Sequence, residues 1–89
     1  MGGFQRTIYD AAIEVSKPVG QPWVGVAKGL LFTDGASREI SLIGDAVPQN
    51  VLNDLIESAD LSQRSGTAEI AFGTSKFRLT FKFRGLRSF

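Results

Sequence analysis

Lys76-Phe77-Arg78-Leu79-Thr80-Phe81-Lys82-Phe83-Arg84 is the stretch that decides the fold. Phe77, Leu79, Phe81 and Phe83 alternate with Lys76, Arg78, Thr80, Lys82 and Arg84 at a strict period of two, so one face belongs to a core and the other is cationic. Just before it, Ala68, Ile70 and Phe72 alternate with Thr67, Glu69 and Ala71. Gly73-Thr74-Ser75 is a short polar link between the runs, which predicts an antiparallel hairpin.

A second hairpin is predicted over Trp23 to Ile43, where Asp34-Gly35 joins an apolar run ending at Phe32 to Ile40, Leu42 and Ile43. Between the hairpins, Val51, Leu52, Leu55, Ile56 and Ala59 recur at helical spacing behind Pro48, a residue suited to a first helical position. Asp45 lies upstream, placed to cap or charge the helix start, and Asn53, Asp54, Glu57 and Ser58 face water. Asp60 to Gly66 has the composition of a connecting loop.

Gln5 to Lys17 fits two patterns. Thr7, Tyr9, Ala11, Ile13 and Val15 suit a strand, whereas Phe4, Ile8, Ala11, Ala12 and Val15 suit a helix; the strand is preferred. Pro18 ends either element, and Gly20-Gln21-Pro22 continues as a loop. The expected architecture is α+β: a small antiparallel sheet of four or five strands with one helix packed on one face, in the order β-β-β-α-β-β. Such a sheet leaves a face and two edges open, so a homodimer or larger assembly is expected.

With 89 residues only one core can form, and residues 1–89 are read as a single domain. Hydrophobic residues at 43% and charged ones at 21% place the chain in the ordinary globular class and not among disordered segments. No apolar run is long enough to span a bilayer, and the start lacks a signal sequence, so a cytoplasmic protein without a membrane partner is expected. Met1-Gly2 resembles an acylation start, but Arg6 stands where that motif wants Ser or Thr.

The chain has neither Cys nor His, which removes disulfides, thiol nucleophiles, the His general base and the usual ligands for zinc, copper and haem. No metal and no cofactor is expected. Asp10 and Glu14 form a close carboxylate pair, but they read as solvated surface, and Tyr9, Ser41 and Thr80 have no evident base. The chain therefore reads as a binding module and not an enzyme.

Lys76, Arg78, Lys82, Arg84 and Arg87 lie within a segment free of acids and make up five of the ten basic residues. Asp34 to Asp60 holds six acids against Arg38 alone, so a net charge of +1 conceals strong segregation. The basic ladder suits the phosphates of a nucleic acid or nucleotide, with Trp23 or Tyr9 as stacking rings. Against this, the ladder's own aromatics point inward, and the same cations would serve an edge strand guarded against aggregation or pair with acids across the sheet. The other function class is a protein-binding adaptor, inhibitor or assembly subunit using a sheet edge or the acidic helix region.

Trp23 to Phe32 adds one further feature. Gly25, Ala27 and Gly29 share one face of that run and Val24, Val26, Leu30 and Phe32 the other, leaving a bare strip that reads as a binding trough, a close approach by the helix, or a bulge. Lys28 in the apolar row favours a bulge or an edge. Gly20 and Gly25 have the spacing of a P-loop, but Val26 and Ala27 occupy the positions that need Lys and Ser or Thr, so that reading is rejected.

Overall fold

The computed structural model describes residues 5–35 and 37–88; the Met1-Gly2 motif lies outside them. Five antiparallel strands, β1 (Gln5–Ser16), β2 (Val24–Thr33), β3 (Arg38–Gly44), β4 (Ser65–Phe72) and β5 (Ser75–Ser88), form one sheet in the order β3-β2-β1-β5-β4. A single helix, α1 (Gln49–Ser58), sits between β3 and β4 in the chain and packs on one face against β4 and β5. This is the α+β arrangement expected, with the full five strands.

β1 resolves the ambiguous segment as a strand, and its position explains why. It is the middle strand, bonded to β2 on one side and β5 on the other, so both rows of its backbone groups are satisfied within the sheet. Tyr9, Ala11 and Ile13 then point to the helix side with Leu31, Leu79 and Phe81, while Asp10, Ala12 and Glu14 point to the open side. Ile13, Leu31, Leu55 and Leu79 are wholly excluded from solvent.

The 73–74 turn joins β4 to β5 with Gly73 at φ +61°, the position where a type II′ hairpin turn requires glycine. Asp34-Gly35 lies in the β2–β3 connection as predicted, where the Asp34 amide donates to the Ser37 carbonyl.

α1 buries Val51, Leu55 and Ile56, with Ala59 buried just beyond. Pro48 occupies the N-cap position and no side chain caps that end, so Asp45 does not cap; its amide donates to the Val26 carbonyl instead. The opposite end is capped from the sheet: Arg38 Nη1 donates to the carbonyls of Ile56 at 2.5 Å and Ala59 at 3.2 Å, a cation at the negative end of the helix dipole. In the loop that follows, Tyr9 Oη donates to the Leu61 carbonyl at 3.0 Å.

In the same loop the Ser62 hydroxyl, and then its amide, donate to Asp60 and hold that carboxyl below its ordinary pKa. A lowered carboxyl favours the fold above its unfolded pKa, and the benefit fades as pH falls through the folded value. Ser62→Ala is expected to raise the Asp60 titration midpoint, read by NMR of the carboxyl carbon; an unmoved midpoint would show that the hydroxyl does not act.

Two bulges reset the faces. Arg84 is the extra residue in β5, between Phe83 opposite Tyr9 and Gly85 opposite Ile8. Val26 is the extra residue in β2, between Ala27 opposite Ile13 and Gly25 opposite Glu14. The second corrects the bare strip: Ala27 and Gly29 stay on the helix side, but Gly25 crosses to the open side.

Candidate functional site

The helix-free face of the sheet collects most of the chain's cations. By register, Arg6, Lys28, Lys76, Arg78, Lys82 and Arg87 point to it with the acids Asp10, Glu14, Glu39 and Glu69, and the bulged Arg84 joins them through its ion pair with Asp10. The helix side and loops hold only Lys17, Arg38 and Arg64 against Asp34, Asp45, Asp54, Glu57 and Asp60. The segregation seen along the chain thus becomes a segregation between two faces, positive on the open sheet and negative around the helix.

Within that face the predicted ladder is largely paired. Arg78 donates from Nε at 3.0 Å and Nη2 at 2.7 Å to Glu14 Oε1 on β1, and its guanidinium lies over the Trp23 ring, 4.3 Å from the centroid. Arg84 reaches Asp10 at 2.9 Å, and Lys76 reaches Glu69 on β4 at 3.1 Å. The exposed Arg84 and Lys76 pairs are each worth no more than about 1 kcal/mol of stability, the partly buried Arg78 pair is held more firmly, and all three partly neutralise cations that a phosphate would use. Lys82 and Arg87 make no ion pair with a described residue, and both are exposed.

From Lys76 to Lys82 β5 lies between β1 and β4, so Lys76, Arg78 and Lys82 do not guard an edge. Pairing with acids across the sheet is the alternative that describes Lys76, Arg78 and Arg84. The carboxylates of Asp10 and Glu14 are accordingly not idle surface groups but the partners of Arg84 and Arg78.

Of the two stacking candidates, Trp23 is half-buried under Arg78, and Tyr9 is only 5% exposed. The Tyr9 ring meets Phe81 and Phe83 edge-on, with centroids at 5.8 and 6.2 Å, and presents no face to solvent. Its place in an apolar row with Ala11 and Ile13 was already a core signal.

Lys28 is the residue the ladder missed. It sits on β2 opposite Ala12, and together with Lys82 it borders a shallow depression of about 540 Å³ in the middle of the open face. Asp10, Ala12, Leu30, Thr80 and Arg84 also line it. Strand spacing and rise put the Lys28 and Lys82 backbones about 12 Å apart across β1, a span that two long side chains close from either side. Only a strand reading of the N-terminal segment, with β1 placed between β2 and β5, would have joined them.

Among the described residues no group of His, Cys, Asp and Glu is gathered as metal ligands would be, and no helix is long and apolar enough to cross a membrane. No family model matches the chain, and no curated protein or solved structure matches it.

Proposed function

We propose that the protein is a non-enzymatic, cytoplasmic binding module whose helix-free sheet face takes the phosphates of a nucleic acid. The observation that carries this reading is the excess of cations on that face, centred on the depression between Lys28 and Lys82, with the opposite face acidic. Lys28, Lys82 and Arg87 supply the primary phosphate contacts. Arg84 sits in an exposed pair with Asp10 that a polyanion displaces at small cost, whereas Arg78, held by two hydrogen bonds to Glu14 and stacked on Trp23, stays with its carboxylate. The apolar floor of Ala12 and Leu30 gives bases a surface to lie on, without a free aromatic platform.

Labelled oligonucleotides titrated at several salt concentrations test this directly. With three to four phosphate contacts, log K is expected to fall against log[salt] with a slope of roughly −2 to −3 for single strands. Lys28→Ala combined with Lys82→Ala should reduce the slope by about 1.4 and weaken all sequences alike, since phosphate contacts position without reading bases. Glu14→Gln, which releases Arg78, should strengthen binding. No binding at low salt would sink the proposal and leave the other class, a protein-binding adaptor, inhibitor or assembly subunit, which draws on the uncovered edge of β3.

A further inference from the structure

We propose that β3 is a homodimerisation edge, through which two copies of the chain pair antiparallel about Ser41 into one ten-stranded sheet. β3 and β4 are the two edges, and an open edge offers a row of unpaired backbone groups that proteins usually guard with Lys, Pro or a covering element. β3 has neither Lys nor Pro, and α1 packs mainly over β4 and β5. Its Ile43 is 84% exposed on the open face. On the helix side Ile40 and Leu42 are half-buried and line a groove of about 240 Å³ with Val47 and Leu52.

A second copy is the occupant because the strand is complementary to itself. With Ser41 on the two-fold axis, Ile40 lies opposite the partner's Leu42, and the two apolar grooves become continuous. Glu39 lies opposite the partner's Ile43, whose inner neighbour in register is that chain's own Lys28. The exposed isoleucine is thus covered between a carboxylate from one copy and an ammonium from the other. Arg38, at the start of the strand, comes opposite the partner's Gly44, which leaves its side chain free to keep capping α1 of its own chain.

Other same-face registers lose this. Centring on Ile40 sets Glu39 opposite the partner's Ser41 and leaves Ile43 unpaired. Centring on Leu42 leaves Arg38 and Glu39 without partners. Because the axis runs perpendicular to the sheet, both helices fall on one side and both cationic faces on the other. This inference does not depend on what those faces bind.

Native mass by light scattering is the first measurement, expected at twice the 9.6 kDa of one chain. Ile43→Glu places a carboxylate beside Lys28 of its own chain, which favours the monomer fold, but opposite the partner's Glu39; its mass should fall to that of one chain. Ile43→Lys crowds Lys28 yet meets the partner's Glu39, and should stay dimeric. A monomeric wild type, or two variants that behave alike, overturns the proposal.

Crosslinking supplies a second reading in a chain without cysteine. Directly opposed residues in antiparallel strands have Cα atoms about 4.5–5.5 Å apart, within the roughly 4.4–6.8 Å a disulfide spans. Ser41→Cys should therefore oxidise to a covalent dimer on a non-reducing gel, whereas Thr67→Cys on the β4 edge should not. The reverse outcome would assign pairing to the wrong edge.

Discussion

Phe81→Ala is expected to destabilise the protein by about 3 to 5 kcal/mol, the largest loss from any single truncation of the C-terminal strand. The ring is 2% exposed and sits in the centre of the sheet's helix side, where Tyr9 meets it edge-on at 86°. Gly66 on β4 makes room for it: a Cβ there would lie 3.0 Å from Phe81 Cζ, so the ring fills space that no neighbouring side chain can reclaim. Truncation would leave a cavity as well as removing contacts, which puts the cost at the upper end for a large-to-small change. A domain of this size has roughly 5–15 kcal/mol in all, and each kcal/mol moves Tm by about 4–8 °C, so the midpoint should drop by more than 10 °C. Thr80→Ala, one residue away on the exposed face, should stay within about 0.5 kcal/mol. Equal melting curves for the two variants would mean that the strand's faces are assigned backwards.

That assignment was legible because period-two alternation is a local property. Phe77, Leu79, Phe81 and Phe83 announce the inward face of β5 without reference to any other segment, and Val51, Leu55 and Ile56 do the same for α1. Both hairpins follow from their turn residues, since each pairs strands adjacent in the chain. What no local pattern carries is which strands meet across the middle. β1 could have lain at either edge of the sheet; its insertion between β2 and β5 is a tertiary choice, made because its Tyr9-Ala11-Ile13 row completes the floor beneath the helix.

The site suffers most from that gap. Once β1 lies beside β5, Glu14 and Asp10 come within reach of Arg78 and Arg84, and a ladder that reads as five cations becomes a mixed surface with its open positions at Lys82 and Arg87. The same insertion brings Lys28 of β2 to the far side of the depression from Lys82. A bulge in β2 was among the readings that its glycines and Lys28 offered, but not its place at Val26, and the bulge at Arg84 was hidden; each extra residue inverts the parity of what lies beyond it.

Gly29→Ala and Gly25→Ala should move stability in opposite directions although the two glycines sit four residues apart in one strand. A Cβ at Gly29 would collide with the Ser41 carbonyl oxygen and come within 3.0 Å of its carbon and 3.1 Å of Leu42 Cα. All three atoms are backbone of β3, so no rotamer change relieves the clash and the edge strand itself must shift. Such overpacking costs about 1–3 kcal/mol, and more where the obstacle is backbone. Gly44 repeats the arrangement at the far end of β3: its φ is +143°, and a Cβ there would meet the Val26 carbonyl and lie 2.7 Å from Ala27 Cα. The bare strip in β2 is thus explained, at Gly29, by the close seating of β3. Gly25, beyond the bulge, has nothing within 4 Å of a Cβ and no left-handed φ. Alanine there removes only freedom from the unfolded chain and should stabilise by about 0.4–1 kcal/mol. Urea midpoints for the two variants decide it. If Gly29→Ala is as stable as the wild type, β3 does not seat against β2 in this way, and the register on which the dimer edge depends would fall with it.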